Sequence, residues 1–528
     1  MSGNPVQRSS KGIRRTAAPV ALRDWGVALV GGLTLAFTAW GFGGVRMWSL
    51  HVLLAGGLLT FLLALGPSLE WRASGNMRES TDGQGRPVPP SAARLRLVFF
   101  NPAGLGRLVR LPYFWLSLAF LIYLLVGALN PGAEVVREPE RGWWVEAVVA
   151  PLGTMLPISV RSDYVPMNAW RVVVSFTAAF ALTWGLWAGL TRRKPVLLVL
   201  WSFLASGSCM GLVAILQQLS GAEAVLWTFP STNPNFWGTF FYRNQAAAYL
   251  NLVLVAASFL FFYHAAKSRQ HLRNGGPHFL CFLLFAATAT SIGLALSRGG
   301  ILFGLILSLC FGVLLAIFAV QGLFQVRSVV LTGLTLLLLT TGSYSIFKYI
   351  DLDAIEQRFG DIEATLENAD KDARALSTRA TWEMAQGRLA QGWGAGSFRY
   401  IFPMYQRNYP ELFYGRYDRR NERWVGRKMY RYAHNDIVQF VAEYGLIGTI
   451  LIFGAIATLL GQALYYSGRH NLALLMLLAG AGQAFGHAFF DFIFNSPAYW
   501  LALLSVLTAA TRLLQLEQAA EGRRIFKP

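Results

Sequence analysis

Uninterrupted apolar stretches recur along the chain, and each is long enough to cross the roughly 30 Å hydrocarbon core of a bilayer with about 20 helical residues. Twelve are read, at approximately 25–45, 47–67, 111–130, 171–191, 196–217, 246–264, 277–296, 300–321, 328–347, 438–465, 472–493 and 498–516. In lipid a backbone must satisfy its own hydrogen bonds, and blocks of this length do so as helices. The expected fold is therefore all-α: a polytopic membrane protein of about twelve transmembrane helices with one large, partly helical external loop. Only 14% of the residues are charged, against about 25% in a soluble domain. That excludes a disordered chain and disfavours an ordinary soluble enzyme. The first block is not a cleavable signal peptide, because it is too long and no small-residue cleavage site follows it. Cys209, Cys281 and Cys310 all lie within apolar blocks, so neither a disulfide framework nor a thiolate metal site is indicated.

The formal charge of +19 would suggest a nucleic-acid partner in a soluble protein. Here the basic residues alternate with the apolar blocks. Arg8, Lys11, Arg14, Arg15 and Arg23 precede the first block, which places the N-terminus inside. The next inside segment, 68–110, is arginine-rich around a Gly/Pro/Ser-rich centre read as a flexible loop. Later inside turns carry Arg192, Arg193 and Lys194, then Lys267, Arg269 and Arg273, then Arg327 and Arg469. Almost all the positive excess is thus a topology signal, and no nucleic acid is implied. The division is a cytoplasmic tail 1–24, helices one to nine over 25–348, a loop domain at 349–437, helices ten to twelve over 438–516, and a cytoplasmic tail 517–528. Within the loop, helical periodicity runs through Ile355–Phe359 and Thr381–Ala385, followed by turn-rich Gly392–Gly396 and an aromatic stretch from Phe398 to Tyr414. The acidic group Asp351, Asp353 and Glu356 reads as a solvated helix start.

Polar residues gather at the outer ends of the blocks. Arg243 precedes the sixth block, where it either snorkels beside aromatic residues or serves a function. Arg298 lies where two blocks nearly touch, with Gly299 and Gly300 after it permitting close backbone approach. His434 opens the tenth block in Ala433-His434-Asn435-Asp436, where Asn435 or Asp436 could cap the helix. A histidine exchanges a proton near neutral pH, and two arginines on one membrane face could hold a diphosphate. Together these suit transfer from a diphosphate-linked donor. Arg379 is either a loop ion-pair residue or a glycan or phosphate contact. His487 and Asp491 stand four apart, so on one helix the aspartate could orient the imidazole, for bundle structure or for acceptor binding. Between Arg399 and Arg431 nine basic and three acidic residues alternate with aromatic ones, as an anionic-glycan surface or a lipid-facing amphipathic segment would.

The run His434-Asn435, nine residues, then Gly445-Leu446-Ile447-Gly448 resembles the signature of the bacterial O-antigen ligase and polymerase family. Tyr242-Arg243-Asn244, Ser297-Arg298-Gly299, Arg379 with Trp382, Gly394-Ala395-Gly396, and His487 with Asp491 before Asn495-Ser496-Pro497 resemble family segments in the same order, over roughly 235–510. The resemblance implies a glycosyltransferase C-like fold in the bacterial inner membrane, both termini cytoplasmic and the active site periplasmic. It implies an inverting transfer from an undecaprenyl-diphosphate-linked glycan to a hydroxyl, with His434 activating the acceptor, Arg243 and Arg298 binding the donor diphosphate, and Asn435, Arg379, His487 and Asp491 binding substrate or giving support. Arginine neutralises a diphosphate without a metal, and no cofactor is expected. The acceptor is lipid-A-core, a growing glycan or a protein side chain, and membrane lipids surround the whole. The alternative is a lipid-linked glycan flippase. That would place ionisable groups at mid-membrane within an internally repeated chain, and no repeat is found.

Overall fold

The computed structural model describes residues 22–72, 94–164, 168–270, 276–318, 373–414, 416–418, 423–467 and 471–525. The chain opens with α1 (Leu22–Phe37), turns through a 3-10 segment at Phe42–Gly44 and returns in α2 (Met47–Leu65). An antiparallel pair, β1 (Ser68–Arg72) with β2 (Arg94–Val98), leads into α3 (Pro102–Val109) and α4 (Pro112–Leu129). In the next connection β3 (Pro131–Glu138) lies between antiparallel β4 (Gly142–Ala147) and parallel β5 (Ser159–Arg161). Then follow α5 (Ala169–Gly189), α6 (Arg193–Leu219), α7 (Arg243–Gln270), α8 (His278–Leu294) and α9 (Arg298–Phe318). After these come α10 (Ala373–Gln386), α11 (Phe398–Gln406), α12 (Pro410–Phe413) and the hairpin β6 (Arg416–Asp418) with β7 (Arg423–Val425). The chain closes with α13 (Asp436–Tyr466), α14 (Leu472–Ala488) and α15 (Pro497–Ile525).

Eight of these helices are long and apolar enough to cross a membrane, and α8 and α14 are shorter apolar helices. The protein is thus an all-α polytopic membrane protein. Each expected apolar block meets a helix except 328–347, which lies outside the described residues, as do Asp351, Asp353, Glu356 and the stretch Ile355–Phe359. The most hydrophobic helix is not the most central one. α9 turns Leu302, Leu305 and Leu309 outward, as a helix bordering lipid does, whereas α7 is buried nearly all round from Ala246 to Phe262. α7 is the core around which the others pack. Asn251, Ser258 and Tyr249 on it are fully buried, and Asn251 donates to Gly300 O (3.2 Å) while Tyr249 pairs with Thr38 (2.7 Å).

Two connections are more ordered than the sequence reading. The ends of 68–110, read as a flexible loop, form the β1–β2 pair and α3, whose start is fixed by Pro102 and by Asn101 accepting from Gly104 N (2.9 Å). The β3–β5 sheet was not anticipated at all. Its strands are short, and their pattern is half-buried on a small second core instead of cleanly alternating. That core joins Val160, Met384, Phe398, Ile401, Phe402 and Leu412 to Val441 and Ala442 of α13, with Val135, Trp143 and Val145 against it. It forms a cap over one end of the bundle.

The cap is tied to the bundle at a break in α13. Gly445 stands at φ 62°, ψ −175° inside the helix. The opened ladder accepts another part of the chain: Leu446 N donates to Leu389 O (2.8 Å), Ile447 N to Ala390 O (3.2 Å), Trp393 N to Ala442 O (2.9 Å) and Gly394 N to Glu443 O (2.8 Å). A Cβ at Gly445 would fall 2.2 Å from Ala390 O. Gly445→Ala is expected to cost about 1–3 kcal/mol from the backbone conformation alone, before the clash is relieved. Thermal unfolding of the purified protein reads this, and an unchanged midpoint would contradict the tie.

Candidate active site

His434 is the last residue but one before α13, and its backbone is left-handed at φ 59°. A non-glycine residue holds that conformation only where its surroundings impose it. Asn435 imposes part of it by capping α13, accepting from Val438 N (3.1 Å). The capping role weighed for Asn435 is what the geometry gives it. The turn directs the imidazole to the connection after α14, where Nδ1 lies 3.7 Å from Asp491 Oδ1 and the ring meets the edge of Phe492 at 4.8 Å. His434 keeps 27% of its side chain exposed while Asp491 keeps 4%.

Asp491 is the hub of this end of the bundle. Asn244 Nδ2 donates to its Oδ2 and to Tyr242 Oη (2.7 Å), and Phe492 N donates to its Oδ1 (2.9 Å). Burial alone would push its carboxyl up, but the close approach of the His434 imidazole and the charges of Arg374 and the histidines hold it below the ordinary carboxylate range. The carboxylate therefore stays ionised throughout the neutral range. Its pairing contribution is complete above the ordinary value and is lost only as pH falls through the lowered one. Phe492 stacks between Tyr242 (4.7 Å) and Tyr432 (4.5 Å), so the three rings hold the start of α7, the approach to α13 and the α14–α15 connection together. Desolvation pushes the buried Tyr242 hydroxyl well up, and it stays neutral.

Arg243 and Arg298 are the first residues of α7 and α9. Arg243 lies between Tyr242 and Asn244, both part of the Asp491 cluster, and its N–H donates to Asn235 O (2.9 Å). Arg298 precedes Gly299, where a Cβ would fall 2.6 Å from His487 Nε2, so the start of α9 lies directly against α14. The starts of α7 and α13 therefore meet at Asp491 and that of α9 lies against the end of α14, and helix N-termini favour anions.

The remaining expected residues divide. α14 ends at Ala488, but Asp491 N still donates to His487 O (3.1 Å), so the two stand one turn apart and within electrostatic range. Asp491 turns to His434, while the fully buried His487 ring stacks on Phe303 at 5.5 Å and, among the described residues, has no hydrogen bond to either nitrogen. Arg379 is exposed on α10, within electrostatic range of Tyr409, which is bonded to Glu383. Much of the aromatic stretch serves the cap: Tyr400 packs on Trp143 (5.8 Å), Phe402 near Tyr430 (6.1 Å), and Phe398 stacks on Phe402 (4.5 Å). Two contributors went unread in the sequence. Arg374, in the first turn of α10, donates to Phe490 O (3.2 Å) and acts electrostatically on Asp491. Glu443 is buried on α13 and accepts from Gly396 N (3.2 Å) and Phe398 N (3.1 Å), clamping the turn before α11. A lone arginine and a glutamate within an apolar run carry no spacing signal that would have marked them.

Residues 279–453 match the O-antigen ligase family, about a third of the chain. Arg298, Arg379, His434, Asn435 and Gly445 lie inside the match; Arg243, His487 and Asp491 lie outside it. No curated protein matches the chain. The match supports assignment to the O-antigen ligase and polymerase family, and with it a membrane glycosyltransferase-like function acting on lipid-linked glycan and an acceptor.

Proposed function

We propose that this chain is an inverting, metal-independent glycosyltransferase that moves a glycan from undecaprenyl diphosphate to a hydroxyl at the periplasmic face of the bacterial inner membrane. The observation that carries the reading is the left-handed His434 held against Asp491 beside the helix starts that bear Arg243 and Arg298. With Nδ1 turned to Asp491, Nε2 of His434 is the nitrogen left for an acceptor hydroxyl. As that oxygen forms its bond to the anomeric carbon, His434 takes its proton and Asp491 stabilises the imidazolium. The bond from the anomeric carbon to the diphosphate breaks on the opposite face, which inverts the centre. Undecaprenyl diphosphate leaves with its developing charge met by Arg243, Arg298 and the helix ends. Lipid-A-core, a growing glycan and a protein side chain would all present such a hydroxyl.

In this scheme Asp491 is a positioning residue. Asp491→Asn should lower kcat about tenfold, or 1.4 kcal/mol in the barrier, with the donor KM little changed. A donor KM that rose as much as kcat fell would indicate that Asp491 only supports the fold around Asn244. The single experiment that separates the acceptors is gene deletion followed by inspection of surface glycans. Free lipid-A-core would mark a ligase, single repeat units on the acceptor a polymerase, and lost protein glycosylation the third branch.

A further inference from the structure

Beside Tyr432 lies a cavity of about 50 Å³ whose lining includes neither His434 nor Asp491. It is bounded by α5, the turn before α11, the approach to α13, α13 itself and the start of α15, with Arg399, Arg431, Tyr432, Asp436, Gln439 and Glu443 among its lining. It has room for a group of one or two waters' size. Arg399 is 8% exposed, and among the described residues its guanidinium meets no hydrogen-bond or ion-pair partner, its nitrogens keeping contact with solvent instead. Arg431, also on the cavity wall, is exposed at the residue level.

The two carboxylates of the wall do not answer these arginines by direct bonding. Glu443 is spent on Gly396 N, Phe398 N and Gln439 Nε2 (3.4 Å), and Asp436 on Phe494 N (2.7 Å). Glu443 also lies within electrostatic range of Arg399. Arg171 adds a third positive charge within electrostatic range of Arg399 and Tyr432. The wall therefore carries two guanidinium forks with unused donors, and such forks fit an oxyanion bidentately.

We propose that this cavity is an acceptor subsite that takes an oxyanion, a phosphate or a sugar carboxylate, carried close to the reacting hydroxyl. The proposal rests on the glycosyl-transfer reading for the word acceptor; the anion site itself does not. Placement argues for the acceptor. The segment from Tyr432 to Asp436 separates the cavity from the Arg243 side: Tyr432 and Asp436 line the cavity, while His434 between them turns to Asp491, which Asn244 also bonds. In-line displacement puts the acceptor hydroxyl on the face of the anomeric carbon opposite the diphosphate, so the acceptor is anchored away from the arginines that hold the diphosphate. The diphosphate is assigned to the helix starts of α7 and α9, which leaves the cavity for the other partner.

The test is binding without transfer. Full-length protein in lipid nanodiscs is titrated with methyl phosphate and, separately, with methyl glucuronate, and the thermal midpoint is followed. Wild type should gain several degrees with at least one probe. Arg399→Gln and Arg431→Gln should each lose most of that gain, and the double variant Arg243→Gln/Arg298→Gln should keep it. Response to methyl phosphate alone identifies a phosphorylated acceptor; response to methyl glucuronate alone identifies an acidic sugar. Arg431 lies toward solvent, so its variant reports even if Arg399→Gln folds poorly. No gain in wild type with either probe, or equal loss in the Arg243/Arg298 variant, would overturn the subsite. Because no glycan is transferred, either result leaves the catalytic role of His434 to its own assay.

Discussion

His434→Ala lowers glycan transfer by about 10²–10⁴-fold, the usual contribution of a positioned general base, while membrane insertion and thermal stability stay close to wild type. The expectation follows from how little of the fold depends on the imidazole. Its ring touches the edge of Phe492 and faces Asp491, but α13 is capped by Asn435 and the Asp491 cluster is closed by Asn244 and Phe492 N. Removing the ring leaves those bonds in place. The left-handed backbone at His434 could itself suffer from alanine, so His434→Asn is the companion variant, since asparagine tolerates that conformation. Both should lose transfer alike. A near-normal rate in either, measured with purified lipid-linked donor, would remove His434 from the chemistry.

The second large effect belongs to the arginine pair. Arg243→Ala with Arg298→Ala should raise the donor KM and lower kcat/KM by roughly 10²–10⁴-fold, since each lost charge-assisted hydrogen bond costs about 1.5–3 kcal/mol. Lysine at either position should recover only part of this, because a point charge replaces a planar fork. The two residues start neighbouring helices, so their effects need not add. Donor titration at saturating acceptor gives the result. A double variant with wild-type donor KM would mean that the diphosphate sits elsewhere, and full rescue by lysine would mean that charge alone matters.

The membrane architecture was legible in the sequence because apolar length is a direct physical requirement of lipid, and the order of helices followed from it. The histidine motif was legible too, but the reason for its glycine was not. Gly445 marks a break in α13 that exchanges hydrogen bonds with residues 389–394, a long-range pairing that no local pattern announces. The same limit applies to Asp491. Four-residue spacing relates it to His487, one turn back, but does not announce His434, which arrives from the start of α13. The cap was underread for a different reason. Aromatic and basic residues between Arg399 and Arg431 look like a binding surface by composition, yet Phe398, Tyr400 and Phe402 are buried against β4 and α10. What composition could not separate was Arg399, which is buried yet makes no hydrogen bond or close ion pair among the described residues.

The central claim is transfer from a diphosphate-linked lipid, and reconstitution tests it most directly. Purified protein in proteoliposomes would be given an undecaprenyl-diphosphate-linked glycan labelled in the sugar, an acceptor glycolipid and excess chelator. The account predicts that label passes to the acceptor with inverted anomeric configuration and equimolar release of undecaprenyl diphosphate, and that His434→Ala does neither. Labelled donor that crosses the bilayer intact, with no label on any acceptor, would contradict it and make the protein a flippase.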